Sequence, residues 1–126
     1  MFLPAMPWYV ILVISYFLGS IPFGFIIGKL KGIDVRAQGS GNIGATNVMR
    51  LVGAPAAVLV LTLDAAKAAL PVVLMRSSGY DNPYLLLAAG LLAVLGHSWS
   101  VFLRGRGGRG VASALGMYLA LAPVSA

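Results

Sequence analysis

Apolar residues dominate four stretches of the chain, near positions 5–28, 51–75, 84–103 and 111–126, and polar, glycine-rich or turn-forming segments separate them. A helix needs about 20 mostly apolar residues to cross a bilayer, so the pattern predicts an all-α integral membrane protein with about four transmembrane helices in one multi-spanning domain. No formally charged residue occurs from Met1 to Gly28, and no Lys or Arg precedes the first apolar run, which argues for a retained span over a cleaved leader. Within that run, Ser20-Ile21-Pro22-Phe23-Gly24 predicts a bend, because proline lacks the N–H a helix interior needs. The second stretch is interrupted by Asp64 and Lys67, and the third holds His97 near its end.

Composition narrows the reading. With 126 residues, 60% of them hydrophobic and 10% charged, nothing is left over for a separate soluble domain. The chain has no cysteine, which excludes a disulfide framework, a thiolate metal site and a cysteine nucleophile. Nine Lys and Arg against three Asp and Glu leave a net charge of +6, pointing to anionic partners. Seven of those nine basic residues flank or occupy two segments, 29–50 and 104–110. Under the positive-inside rule both loops face the cytoplasm and the N-terminus lies outside. Two spans separate the loops, so they return to one membrane face and can form one site.

Both loops carry the pattern G-x-G-x-x-G: Gly39, Gly41 and Gly44 in the first, Gly105, Gly107 and Gly110 in the second. Glycines let consecutive backbone N–H groups converge on an anion, and a following helix adds its dipole. A dinucleotide fold is excluded because neither loop follows a strand, and a Walker A loop because Gly-Lys-Ser/Thr is missing. Ser40, Gly41, Asn42, Thr46, Asn47 and Arg50 in the first loop, with Arg104, Arg106, Gly107, Gly108 and Arg109 in the second, supply hydroxyl, amide, backbone and guanidinium donors suited to phosphate oxygens. The plainer alternative is glycine turns plus arginines that hold helix ends to anionic lipid, at about 1 kcal/mol each. It explains less of the crowding of hydroxyl, amide and guanidinium groups. Nucleic acid is not expected as a partner, since short membrane-flanking loops offer few stacking residues.

Asp64 and Lys67 stand three apart, on one helix face. A helix beginning near Arg50 would carry Asp64 roughly 21 Å along its axis, deep in hydrocarbon. An ion there costs about 2.5–3.5 kcal/mol on insertion scales, so the pair must face protein or water, either as a self-neutralising packing device or as a support for an active site. Pro71 is expected to open the helix at Lys67. His97, the one histidine, is read as a hydrogen-bonded packing residue or a positioning group about 10 Å below the second basic loop, if its helix is regular. One histidine, three scattered aspartates and no glutamate predict no metal site, and no cofactor is called for.

These residues resemble the bacterial membrane acyltransferases that move an acyl chain from acyl-phosphate to glycerol 3-phosphate, making lysophosphatidate. The resemblance rests on Gly19-Ser20-Ile21-Pro22, on residues 39–47 with Arg50, on Asp64-Ala65-Ala66-Lys67, and on Gly96-His97 leading to Gly107-Gly108-Arg109-Gly110-Val111-Ala112. It implies a multi-spanning enzyme of the bacterial inner membrane, with its glycine motifs at the cytoplasmic face and membrane lipids around it. It also implies that Ser40 and Arg50 hold glycerol 3-phosphate and that the Gly107-Gly108 loop binds phosphate. Arg109 stands where the family usually has lysine, and Ala68 where it usually has glycine. The family continues to a third motif with His, Asn and Glu that these 126 residues lack, so the chain is expected to be part of a longer enzyme.

Acyl-phosphate is already activated, so the expected chemistry is positioning and charge neutralisation, not covalent catalysis. Ser40, Arg50 and His97 are the expected catalytic group: the first two hold glycerol 3-phosphate, and His97 orients groups or relays a proton. The competing readings are a transporter or channel component for an anionic solute, and a non-catalytic scaffold that binds anionic lipid.

Overall fold

Pro22 divides the first apolar run. The computed structural model describes residues 6–103 and 111–125, and in it α1 spans Trp8–Ser20 and α2 spans Phe23–Leu30. Ile21 between them is extended (φ −63°, ψ 116°), the conformation a residue before proline prefers. The bend leaves the Ile21 carbonyl outside the regular ladder, where it accepts the Phe23 N–H (3.1 Å) and remains open to a further donor.

The remaining helices are α3 (Ala45–Leu51), α4 (Ala54–Ser77), α5 (Pro83–Ser98) and α6 (Val111–Ser125), with a single 3-10 turn at Val101–Leu103. Four details differ from the pattern read in sequence. The polar segment 29–50 is not all loop: α2 reaches Leu30, and α3 forms from Ala45 onward. The second long helix starts at Ala54, because Gly53 at φ +133° breaks the chain between α3 and α4. Asp64 therefore lies about 15 Å along α4 instead of 21 Å. The third stretch ends at Ser98, so His97 occupies the last turn of α5 and no regular helix joins it to position 104. Pro71 also departs from expectation: α4 runs through it unbroken, with the ring fully buried among neighbouring helices.

Among the described residues, two helical runs are long and apolar enough to cross a bilayer, Trp8–Leu30 taken across its bend and Ala54–Ser77, while α5 and α6 are shorter apolar helices. α4 is the centre of the bundle and packs against every other α-helix. Along α4 the buried surface changes character. Ala57 and Val60 join Val35, Ile43 and Val48 in one apolar cluster; Val72 and Met75 join Ile11, Leu86 and Ala89 in another. Asp64 and Lys67 form the polar layer between them. Leu59, Leu70, Val73, Leu87 and Leu91 point outward and exposed, as lipid-facing positions require.

Small residues set the helix spacing. A Cβ on Gly96 would collide with the backbone of Tyr16 and Ser20, and one on Gly19 with the carbonyl of Ala93, so α1 and α5 meet backbone to backbone. The Tyr16 hydroxyl donates to the Trp99 carbonyl (2.7 Å) and the Ser100 hydroxyl to that of Ser20, tying the end of α5 to the bend. Gly96→Ala is expected to cost about 1–3 kcal/mol in unfolding free energy, because backbone atoms must separate. The three atoms nearest to a Cβ on Gly90 all belong to the flexible Met117 side chain, so Gly90→Ala should cost clearly less. Parallel thermal melts in detergent compare the two.

Candidate active site

The first glycine loop is shaped from inside by one amide. Asn47, in the first turns of α3 and 1% exposed, donates through Nδ2 to the carbonyls of Val35 (2.9 Å), Gln38 (3.2 Å) and Asn42 (2.9 Å), while its Oδ1 accepts the Ser40 N–H (3.0 Å). Gly39 is at φ +58° and passes so close to Asn47 Oδ1 that a side chain would strike it. Asn42 closes the next turn by accepting the Gly44 N–H (2.8 Å), and the Ser40 hydroxyl accepts the Asn42 N–H (3.3 Å). On the rim, the Asp34 carboxylate accepts from Arg36 Nε (3.3 Å) and N–H (3.0 Å), and these bonds hold its pKa below the usual carboxylate value. Arg36 also lies over the Phe25 ring, 4.2 Å from its centre, in a cation–π contact.

The loop and α3 form one wall of a cavity of about 390 Å³. Ser40, Asn42, Thr46, Asn47 and Arg50 line it on that side; Asp64 and His97 line it from α4 and α5; Val111 and Ala112, the first residues of α6, close it. Its size lies within the range of small-molecule sites. Ser40, Thr46 and Arg50 are exposed at the opening. A second hollow, about 240 Å³ and wholly apolar, lies between α1 and α5 beside Phe17 and Leu92, away from these groups.

At the inner wall the charged pair expected on α4 is one part of a three-residue cluster. Lys67 Nζ lies 3.1 Å from Asp64 Oδ1, in ion-pair contact without hydrogen-bond alignment, 2.7 Å from His97 Nδ1, and 2.9 Å from the Ile21 carbonyl freed by the bend. Asp64, Lys67 and His97 are 2%, 4% and 4% exposed, so the ammonium has exchanged water for these partners. The Ser113 hydroxyl donates to the Asp64 carbonyl (2.9 Å), which locks α6 to α4 beside the cluster.

The structure therefore gathers Ser40, Asn42, Thr46, Arg50, Asp64 and His97 around one cavity. Lys67 stands behind His97, and Asn47 serves the loop with its amide hydrogens instead of offering them to a ligand. Gly41 at φ +76° makes the turn after Ser40. Arg104, Arg106, Gly107, Gly108 and Arg109, expected as the second set of phosphate donors, lie outside the described residues. Sequence reasoning missed the contact between Lys67 and His97; its one sequence signal was Pro22, whose bend supplies the third partner of the ammonium.

Asn47→Ala removes the acceptor of the Ser40 N–H and an amide whose two hydrogens are shared among three carbonyls, leaving the buried Val35 carbonyl and the part-buried ones of Gln38 and Asn42 without that donor. A loss of about 1–3 kcal/mol is expected, with the loop opening before the bundle. Hydrogen exchange at the Ser40 amide, whose acceptor disappears, measures it directly.

Among the described residues, an all-helical bundle with two membrane-length apolar runs and two shorter apolar helices, and with hydroxyl, guanidinium and imidazole groups around one cavity, defines the class. The chain belongs to the glycerol-3-phosphate acyltransferase family, whose sequence profile matches residues 9–126. A glycerol-3-phosphate acyltransferase of Trichlorobacter lovleyi is 54% identical over 111 residues, covering 88% of this chain and 57% of its own. Glycerol-3-phosphate acyltransferase 2 of Moorella thermoacetica is 45% identical over 119 residues, covering 94% and 60%. Among solved structures, the glycerol 3-phosphate form of PlsY, an integral membrane glycerol 3-phosphate acyltransferase, superposes with a TM-score of 0.84 at 46% identity, covering 92% of this chain and 58% of that one. The lysophosphatidic acid form of the same enzyme gives 0.82 at 45% identity. The chain thus spans less than two thirds of the length of the relatives it matches.

Proposed function

We propose that this chain takes part in transfer of an acyl group from acyl-phosphate to the 1-hydroxyl of glycerol 3-phosphate, giving lysophosphatidate for phospholipid synthesis. The observation that carries this reading is the cavity joining Ser40, Thr46 and Arg50 at its mouth to His97 and Asp64 at its inner wall. Glycerol 3-phosphate is small, dianionic and rich in hydroxyls. Its phosphate suits Arg50 and the Ser40 and Thr46 hydroxyls, within the same cavity that His97 lines. Arg104, Arg106 and Arg109, with the amides around Gly107 and Gly108, are assigned to the acyl-phosphate. The start of α6 at the cavity supports that assignment, since a helix N-terminus favours an anion. The activated anhydride loses phosphate, a better leaving group than alkoxide, as the glycerol oxygen attacks the acyl carbon; a substrate phosphate oxygen takes the hydroxyl proton. Ser40, Arg50 and His97 are the catalytic group in this assignment, each acting by contact and charge placement.

In the same reading the chain is one multi-spanning domain of the bacterial inner membrane, its spans formed by α1 with α2, α4, α5 and α6. The distribution of Lys and Arg supports an outside N-terminus and cytoplasmic glycine loops. The acyl tail then lies among the helices and surrounding lipid. The test is lysophosphatidate formation from acyl-phosphate and glycerol 3-phosphate by the purified protein in detergent or bilayer. Product that depends on both substrates is expected; vesicle uptake of glycerol 3-phosphate with no acylated product would reject the enzyme in favour of a transporter.

A further inference from the structure

Lys67 has three near neighbours around Nζ: the Ile21 carbonyl at 2.9 Å, Asp64 Oδ1 at 3.1 Å and His97 Nδ1 at 2.7 Å. The first two accept only, and an ammonium can only donate: it gives an N–H to the Ile21 carbonyl, faces Asp64 in ion-pair contact without hydrogen-bond alignment, and has an N–H left for His97 Nδ1. Asp64 supplies the balancing charge within the same buried cluster. Nδ1 of His97 then meets an N–H with its lone pair and carries no proton of its own. The competing arrangement, an Nδ1–H donated to Asp64, is not made: that separation is 3.9 Å, beyond hydrogen-bond distance. In a neutral imidazole the other nitrogen must hold the proton. Nε2 has no hydrogen-bond partner among the described residues, and the ring lines the cavity that Ser40, Thr46 and Arg50 open onto.

We propose that Lys67 fixes His97 in its Nε2–H form, so that the imidazole serves the cavity as a hydrogen-bond donor to a phosphate-ester oxygen and not as a base. The phosphate ligand rests on the function proposed above; the tautomer rests on the Lys67 contacts alone. Lys67 is the positioning residue and His97 the group that touches the ligand. The assignment explains why a lysine sits at a histidine in a layer where its charge already has a carboxylate partner. A lone Asp64–Lys67 pair needs no imidazole, and a histidine acting as a base would need Nε2 free of its proton.

The chain has one histidine, so selective ¹⁵N-histidine labelling reports on His97 without overlap. The expected wild-type spectrum at neutral pH has a protonated-type signal from Nε2 and an unprotonated-type signal from Nδ1. Adding glycerol 3-phosphate or inorganic phosphate should shift the Nε2 signal and leave Nδ1 unprotonated. In Lys67→Met the Nδ1 signal should move toward the protonated type as the tautomer preference is released. An Nδ1–H or doubly protonated ring in the wild type overturns the proposal, and that spectrum decides even if the variant does not fold. An Nε2 signal that neither phosphate moves overturns the donor role. A correct tautomer with a phosphate-induced shift, but no acyl transfer, leaves the proposal standing and rejects the proposed reaction.

Discussion

Lys67→Met is expected to lower the unfolding free energy by about 3–5 kcal/mol, the usual consequence of leaving one member of a buried ion pair without its partner. Asp64 would keep a carboxylate in a layer where it is 2% exposed, with His97 Nδ1 3.9 Å away, beyond hydrogen-bond distance. Since whole domains are stable by only about 5–15 kcal/mol, this change alone takes away much of the margin. Asp64→Asn should have a smaller but similar effect, because it leaves the ammonium buried without its counter-charge. The double variant Asp64→Asn/Lys67→Met is the informative control. It contains neither ion and should recover most of the loss, remaining about 1–3 kcal/mol below wild type through the imidazole nitrogen that has lost its donor. The Ile21 carbonyl keeps the Phe23 N–H and adds little to that deficit. Denaturant or thermal unfolding of the four proteins in one detergent gives the coupling directly. Equal stability of wild type and Lys67→Met would remove the pair from the account of the fold.

What could be read from sequence alone divides by the range of the interactions involved. The bend at Pro22 was legible because its cause is local, a missing N–H and a clash with the preceding residue. Asp64 and Lys67 were legible as a pair because three residues along a helix return to the same face. Helix α3 was not: glycines at 39, 41 and 44 dominate the segment's local signal, and the helix exists because Asn47, Val48 and Leu51 pack back onto the loop and α4. Asn47 looked like a ligand donor for the same reason, since nothing local shows that carbonyls 5, 9 and 12 residues earlier converge on its amide. His97 and Lys67 are 30 residues apart, and their contact appears only once α5 has packed on α4. Membrane class followed from composition and hydropathy. The depth of the charges, and which donors face a ligand, required the tertiary arrangement.

Arg50→Ala is expected to reduce kcat/KM for glycerol 3-phosphate by roughly 10- to 150-fold, because a hydrogen bond to a charged partner contributes about 1.5–3 kcal/mol and each 1.4 kcal/mol is a factor of ten. Arg50 lies in the last turn of α3, exposed at the cavity mouth, with no ion pair to any described residue, so its guanidinium is available to a ligand. Its exposure also means that removal should change stability by no more than about 0.5 kcal/mol, separating this variant from the buried-layer changes. A phosphate gripped equally before and during acyl transfer predicts a rise in KM with kcat nearly constant; a fall in kcat as well would mean the contact tightens as the hydroxyl attacks. Arg50→Lys discriminates further. It keeps the charge but loses the planar fork that engages two phosphate oxygens, and should fall between alanine and wild type. Initial rates of lysophosphatidate formation across a range of glycerol 3-phosphate concentrations measure all three proteins. Rates unchanged in Arg50→Ala would exclude Arg50 from the phosphate contact and move the anion site toward α6 and the arginines that precede it.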